Sequence, residues 1–318
     1  MRTFSWIMII AICFVSGGAT CVRQQPPSPF PAAPQVFNEI PSALEISAAI
    51  NRTSSIRVLS SNSASVKMLS IPKLPELSNA TLSLQRDKRF RLNAKLPLIG
   101  SGLDLGSNEE VFWFEVPDGA LSRTIYWANH EKYRQQLTRA ILPVDPTWVM
   151  DALGLIQVDP ATIVAGPVRR ADGRLEIRSA LNLPDGMYQR VCLIDPTAGY
   201  VTHQFLYAPS GNLVASSEAS NHRYYEEENC ALPHSVKISL QPAAGPPLVM
   251  KIDISSYAIN QLLSGDPQVF TMPQTAANAV DLTELNGVVP KPSSVVPASY
   301  HRAGRLGPLP LRGTVRTR

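Results

Sequence analysis

The sequence predicts a mainly β protein of the α+β class, built on one curled antiparallel sheet with a helix inserted among its strands. Segments in which apolar and polar residues alternate occupy most of the chain between residues 55 and 254, which is typical of strands with one buried face. Short turns such as 196–199 and 209–212 join neighbouring segments, so successive strands should pair antiparallel. About a dozen such strands exceed what one twisted open sheet carries without curling, splitting or closing.

The first 20 residues predict a lipoprotein-type signal peptide. Arg2 precedes an apolar run at 4–15, and small residues lead to Cys21. This pattern is typical of a secretory signal that is too short to span a bilayer. Cys21 resembles the position at which bacterial lipoprotein processing cuts and attaches lipid, so the sequence predicts an exported protein anchored there. The alternative is ordinary cleavage nearby, which leaves Cys21 as a free thiol in a soluble periplasmic protein.

Proline-rich material flanks a single predicted domain at residues 37–285. Residues 21–36 contain QQPPSPFPAAP and predict a stiff, polyproline-like tether. Residues 286–318 predict a disordered, basic, proline-rich tail. Arginines of this tail supply much of the formal net charge of +4, so the domain is close to neutral and gives no reason to expect nucleic acid as a partner. No second apolar stretch approaches the length needed to cross a bilayer.

The first half of the domain begins with one predicted helix and continues as strands. Pro41 suits the first turn of a helix that runs to about Asn51. The stretch Gly100–Asn108 carries glycine, aspartate and asparagine at turn spacing and predicts a loop. Strands are predicted at 55–60, 64–69, 80–86, 89–96, 111–116 and 124–128.

The second half begins with the inserted helix and continues as a meander. Asp145 and Pro146 form a helix-start signature, after which apolar residues recur at helical spacing as far as Leu155. Strands follow at 174–181, 188–195, 200–207, 213–217, 222–226, 236–241 and 248–254.

Two cysteines remain in the predicted domain, Cys192 and Cys230. An isolated pair in an oxidising compartment favours a disulfide, and closing a loop of this length would stabilise the fold by roughly 3–4 kcal/mol. The alternative is two unpaired, buried thiols.

No group of residues has the spacing of a catalytic or metal site, so the sequence predicts a protein that is not an enzyme and holds no cofactor or metal. The chain lacks a G-x-S-x-G elbow, a phosphate-binding glycine loop and an H-E-x-x-H pair. Asp104, Glu109 and Glu110 surround a turn, where acidic residues are common, so an acid and base pair is the less favoured interpretation. The histidines are scattered, at His130, His203, His222, His234 and His301.

Large apolar side chains are the remaining candidates for a site. Phe112 and Phe114 share one face of a strand, and Tyr126 lies across the next turn. Trp148 and Leu153 lie on the inserted helix. If this helix lies across the mouth of the curled sheet, these residues line an apolar cavity between lid and strands. The alternative is that each is an ordinary core residue.

Three stretches of the chain resemble a known family. FRLNAKLPLIGSGLDLGSNEEVFWFEV at 90–116, IYWANHEKY at 125–133 and PTWVMDALGLIQVDP at 146–160 resemble the lipoprotein family of planctomycete-type bacteria, which is similar to the outer-membrane lipoprotein-sorting proteins LolA and LolB. The strands at 190–240 resemble the strand-turn-strand ladder of the same fold. The resemblance covers roughly residues 42–261 and rests on element order and the FRL…DLGSN…FWF run.

The resemblance implies an unclosed antiparallel half-barrel sheet with a helical lid, whose interior holds acyl chains of lipids or lipoproteins. It makes Phe112, Phe114, Tyr126, Trp148 and Leu153 the predicted lipid-binding cavity. The implied function is non-catalytic: a membrane-tethered protein, facing the periplasm from the outer membrane, that acts in lipoprotein localisation by shielding acyl chains. The alternative is an envelope structural or sensor lipoprotein that binds a protein partner.

Overall fold

The computed structural model describes residues 30–95, 102–115, 124–135, 148–183, 185–242, 246–274 and 278–284. The predicted signal peptide, Cys21, the first part of the tether and the basic tail lie outside these residues. Within the described part of the chain, no helix is long and apolar enough to cross a bilayer.

One large, curled sheet that does not close into a barrel dominates the described residues, which confirms the predicted fold class. Its 15 strands are β1 (Val58–Met68), β2 (Leu77–Gln85), β3 (Arg89–Lys95), β4 (Gly102–Ser107), β5 (Val111–Glu115), β6 (Thr124–Asn129), β7 (Ile163–Arg169), β8 (Leu175–Leu183), β9 (Gly186–Ile194), β10 (Val201–Tyr207), β11 (Leu213–Tyr225), β12 (Cys230–Leu240), β13 (Leu248–Ile254), β14 (Ala258–Ile259) and β15 (Asn278–Asp281). The helices are α1 (Ala43–Ile50), α2 (His130–Gln135) and α3 (Trp148–Met150); α3 continues as a π-helical turn, Asp151–Leu155. Short 3-10 helices are Asn51–Ser55, Pro160–Thr162 and Pro267–Phe270.

The sheet consists of two meanders that meet where β1 pairs with β13. Strands β1–β6 follow one another across one half and β7–β13 across the other, with β15 added parallel to β6 and β14 paired to β1. Because β6 and β7 lie near opposite ends of the sheet, the chain between them must cross it. That crossing segment carries α2 and α3, and it therefore brings helical segments onto a face of the sheet.

Strand register collects alternate residues of neighbouring strands onto one face, which we call the inner face. One row across it joins Leu84, Phe90, Ser107, Phe112 and Ala128. The main apolar core lies on this face and includes residues of α3 as well as of β1–β4 and β11–β13. The opposite, outer face carries the intervening side chains, as the alternation along each strand requires.

Helix α1 is fixed at its start by a capping box and along its length by apolar packing. The Glu45 N–H donates to Ser42 Oγ (3.2 Å), and the Ser42 N–H donates to the Glu45 carboxylate (2.7 Å), which satisfies two N–H groups left unpaired by the helix start. Ile46 and Ile50 are buried in a second apolar cluster with residues of β8 and β9. The helix predicted after Pro41 is thus confirmed.

The stretch Gly100–Asn108, predicted as a loop, is largely strand β4, so that prediction is wrong. β4 pairs with β3 on one side and β5 on the other, and Leu103 is buried in the main core. Its glycines have a packing role: a Cβ at Gly106 would lie 2.1 Å from Cζ2 of Trp113. Turn-type residues therefore form a strand here because neighbouring strands supply every ladder partner and leave no room for larger side chains.

Residues 30–36, which the sequence places in the tether, lie against the domain. Phe30 packs edge-on against Tyr225, with ring centroids 5.3 Å apart, and Arg223 lies over the Phe30 ring at 5.0 Å. The Val36 N–H donates to the carbonyl of Thr197 (2.7 Å). These residues therefore contact the domain and are not a free spacer.

Candidate functional site

The two phenylalanines of β5 lie on the inner face, as their spacing predicts. Phe112 pairs with Ser107 and Ala128, and Phe114 pairs with Leu105 and Tyr126. Trp113, between them, points to the outer face, where its indole N–H donates to Asp104 Oδ1 (3.3 Å). Period-two alternation thus assigns all three aromatic residues to the correct faces.

Phe112 is a core residue at the end of the sheet. It is 1% exposed and packs against α2, with ring centroids 5.1 Å from Tyr133 and 5.4 Å from His130. Ala128 and Leu282 complete this third apolar cluster. Phe112 therefore holds α2 and the chain after β15 against the sheet.

Phe114 and Tyr126 form a stacked pair on the same face, beside the Phe112 cluster. Their ring centroids are 5.1 Å apart and their planes are inclined by 17°. Both residues are only half-buried, and they pack against the cluster without belonging to its buried part. The pair is thus an apolar inner-face surface that the described residues leave partly uncovered.

Trp148 and Leu153 lie in the main core, apart from the phenylalanines. They are 5% and 0% exposed, and they pack on the inner face with residues such as Leu232. The helical segment lies flat enough that nearly all its side chains are buried against the strands. This segment covers the sheet, as the predicted lid does, but its side chains fill the space between helix and strands.

The structure thus divides the five predicted cavity residues between two clusters. Trp148 and Leu153 belong to the main core, whereas Phe112, Phe114 and Tyr126 group around α2. That lipid contacts these residues stays a prediction, and Phe114 and Tyr126 are the members left with accessible apolar surface.

Polar contacts hold the helical segment at 148–155, which we call the lid segment, against the sheet. Arg190 of β9 forms a salt bridge with Asp151 (3.0 Å between Nη2 and Oδ2), and Gln204 of β10 donates to the Asp151 carbonyl (2.9 Å). Arg86 donates from Nη2 to the Leu155 carbonyl at 3.4 Å and from Nε to the Ile56 carbonyl at 2.8 Å. Burial lowers the pKa of Arg86. Sequence reasoning missed these side chains because their partners are far away in the chain.

The disulfide expected between Cys192 and Cys230 is not formed, and both residues are buried free thiols. Cys192 faces the cluster beneath α1, whereas Cys230 begins β12 in the main core. Strands β10 and β11 separate them, which corresponds to about 14 Å at the usual strand spacing, well beyond disulfide reach. Burial raises the pKa of each thiol to about 12, so neither is an activated nucleophile.

The titratable residues considered from the sequence do not converge. Asp104 is buried on the outer face in a paired salt bridge with Arg91 (2.6 and 3.0 Å), whereas Glu109 is exposed and paired with Arg89. Within the described residues, no group of three or more histidine, cysteine or acidic side chains could hold a metal ion.

One contact between a hydroxyl group and an imidazole ring was not apparent from the sequence. Ser107 Oγ lies 3.0 Å from His130 Nε2, the separation expected of a nucleophile and its base. Both residues are buried beneath Phe112, so a substrate has no access to the pair. We interpret it as a structural contact between β4 and the start of α2.

These features define an open antiparallel half-barrel whose inner face is apolar and partly covered by helical segments. No protein-family model matches the chain, and no curated protein matches it. Among solved structures, it is similar to a putative outer membrane lipoprotein-sorting protein domain from Vibrio parahaemolyticus, with 9% identity and a TM-score of 0.47 over 72% of this chain and 97% of that one.

Two further solved structures belong to the same comparison. A DUF1329 family protein from Desulfovibrio piger is 12% identical, with a TM-score of 0.44 over 72% of this chain and 95% of that one. A LolA superfamily protein from Nitrosomonas europaea is 13% identical, with a TM-score of 0.38 over 71% and 96%. The structural neighbours thus include the lipoprotein-sorting group that the sequence resembles. Because every TM-score is below 0.5, the functional argument rests on the geometry of this chain.

Proposed function

We propose that this protein is a non-enzymatic, membrane-tethered binding protein of the bacterial envelope that shields acyl chains of lipids or lipoproteins on the inner face of its half-barrel. It would act on the periplasmic side of the outer membrane, in lipoprotein localisation. The observation that carries the proposal is the stacked, half-buried pair Phe114 and Tyr126 on an otherwise apolar face.

The surroundings of this pair extend the apolar surface. Leu105, which pairs with Phe114, is only partly buried against the main core, as are Leu181 and Leu248 elsewhere on the inner face. Each methylene group removed from water contributes about 0.8 kcal/mol, so ten of them contribute about 8 kcal/mol before the cost of association. That cost is several kcal/mol. Firm binding therefore requires more than one chain, as in a multiply acylated lipoprotein.

Uptake of a fluorescent fatty acid by the full chain without its leader tests the proposal. We expect the wild-type protein to bind the probe and Phe114→Ser to lose about tenfold in affinity with its fold retained. Tyr224→Ser is the matched control, because Tyr224 is a half-buried aromatic residue that donates to Asn229 away from the stacked pair. Mass spectrometry should also find lipid that co-purifies with the wild-type protein.

The proposal fails if the wild-type protein takes up no probe and carries no lipid, or if both variants lose affinity equally. A wild-type protein that carries no lipid and instead binds one envelope protein would support the structural or sensor alternative.

The tether is tested separately, at Cys21. Cys21→Ser should move the protein from the membrane pellet to the soluble periplasmic fraction, because the several chains of a mature lipoprotein hold a protein firmly whereas one chain does not. A variant that still pellets, together with a wild-type protein that takes up no labelled palmitate, would contradict the anchor without affecting the proposal for the inner face.

A further inference from the structure

A groove of about 1010 Å³ lies on the outer face of β8, β9 and β10, on the side of the sheet opposite to the lid. This volume is at the upper end of the range of small-molecule sites, about 300–1,000 Å³. None of the residues in the predicted lipid cavity lines it.

The floor of this groove is partly apolar, with Phe205 half-buried and Val191 and Leu193 largely buried at 8% and 3% exposed. Val191 on β9 pairs with Phe205 on β10, and Leu193 lies two residues further along β9 on the same face. At the rim, Val164 is 61% exposed and Met187 is 63% exposed. Large apolar side chains in such contact with water indicate a surface that gains free energy when an apolar group covers it.

Arginines line the rim beside this floor. Glu176 is buried and accepts from Arg178 Nε (2.9 Å) and from Arg170 Nη1. Burial would raise the pKa of Glu176, but these two hydrogen bonds outweigh it and hold the pKa below its ordinary value. Arg174 pairs with Asp172 (2.7 Å). Three arginines thus face two carboxylates, and the rim keeps a positive charge.

Arg178 has unused hydrogen-bonding capacity. Its side chain is 49% exposed and bonds Glu176 through Nε alone. Within the described part of the chain, its two terminal nitrogens donate to no other group. A guanidinium fork with both terminal nitrogens available matches the oxygens of a phosphate or carboxylate.

The corresponding outer face of the first meander is covered in part by the chain itself, which leaves a smaller cavity of about 440 Å³. The segment around Pro267–Phe270 crosses it, with Arg91 donating to the Val269 carbonyl (3.0 Å) and Asn108 donating to the Phe270 carbonyl (3.2 Å). No described segment crosses β8–β10 in this way. The basic tail is a poor occupant because its arginines would meet those of the rim.

An added peptide strand is also a poor occupant. Edge strand β7 has register shifts on both sides of Ala165, and Pro167 lacks the N–H that a ladder requires. Such interruptions prevent an edge from pairing with another strand. A compact ligand with an apolar chain and an anionic end satisfies both the floor and the rim.

We propose that this groove binds a phosphate-bearing amphiphile, with its phosphate on Arg178 and Arg170 and its acyl chain over Phe205 and the exposed rim residues Val164 and Met187. The site is separate from the inner face and does not depend on the function proposed for it.

Isothermal titration of the full chain without its leader, below the micelle concentration of each ligand, tests this site. We expect dodecyl phosphate to bind more tightly than dodecyl maltoside, and added salt to weaken only the former. Arg178→Gln should weaken dodecyl phosphate about tenfold and leave dodecyl maltoside unchanged. The matched control is Arg169→Gln, because Arg169 is an exposed arginine on β7 that does not line the groove.

Further variants distinguish the contribution of the apolar chain from that of the phosphate, and binding at the outer face from binding at the inner face. Phe205→Ala should weaken the binding of both amphiphiles at the groove. Phe114→Ser should weaken only the salt-insensitive binding that both chains share at the inner face, and leave the salt-sensitive binding of dodecyl phosphate unchanged. Inorganic phosphate that binds as tightly as dodecyl phosphate would overturn the proposal, because it would show an anion site without an apolar contribution. So would equal binding of the two amphiphiles at all salt concentrations, or loss of the salt-sensitive binding in Phe114→Ser but not in Arg178→Gln. The salt series on the wild-type protein decides the charge dependence even if Arg178→Gln does not fold.

Discussion

The two phenylalanines of β5 offer an internal comparison between a core residue and a binding residue. They lie two positions apart on the same face, yet Phe112 is 1% exposed and Phe114 is half-buried. We expect Phe112→Ala to destabilise the protein severely, and Phe114→Ala to destabilise it mildly while weakening acyl-chain binding about tenfold.

The magnitudes follow from burial. Phe112 loses packing against Tyr133 and Ala128, and truncation of a core phenylalanine typically costs about 3–5 kcal/mol. At 2–4 °C per kcal/mol for a domain of this size, the melting temperature should fall by about 6–20 °C. Phe114 loses about half a side chain of burial and one aromatic stack with Tyr126, together about 2 kcal/mol, or 4–8 °C.

Two measurements on each variant test this difference. Thermal unfolding followed by circular dichroism gives the melting temperature, and probe titration at 20 °C below it gives acyl-chain affinity for the fraction that is folded. Equal destabilisation by the two substitutions would refute the assignment of Phe114 to an open surface. Phe114→Ala with unchanged affinity would refute its assignment to the binding site, whatever its stability.

Other predictions test the electrostatics and packing of the domain. Burial lowers the pKa of His222 to about 4. Because this imidazole is protonated more readily in the unfolded chain, the folded protein should lose stability as the pH falls from about 6.5 towards 4, by roughly 2 kcal/mol at pH 5. His222→Phe should therefore lose less stability than the wild-type protein between pH 7 and pH 5, and identical pH profiles of the two proteins would contradict this. Cys192 and Cys230 should react with a thiol reagent after denaturation without any reductant but not in the native protein, whereas a requirement for reductant would restore the disulfide. Gly106→Ala should destabilise by about 1–3 kcal/mol, because its Cβ would overlap the indole beneath it; an unchanged melting temperature would show that the indole moves freely.

The alternation of apolar and polar residues along the chain correctly predicts which side chains share a face of a strand. Side chains of a strand alternate between faces whatever the partner strand, so Phe112 and Phe114 could be assigned to one face and Trp113 to the other. The start of α1 was equally local, because Ser42 and Glu45 cap it within one turn. Apolar spacing also located the inserted segment at Trp148, since helical periodicity needs no tertiary information.

Only the tertiary structure decided which elements meet. No local pattern of residues indicates that β1 pairs with β13, that β15 joins β6 in parallel, or that Gly102–Ser107 is a strand. Each depends on ladder partners that are far apart in the chain, or on a neighbour such as Trp113 that fits only glycine. The same applies to the candidate site. Residue type alone makes Cys192 and Cys230 a possible disulfide pair, but strand order places them in separate clusters. Residue type also suggests that the five apolar residues meet, but the strand order divides them between two apolar clusters. Residue type determines what a side chain can do, whereas the order and register of the strands determine which side chains it can reach.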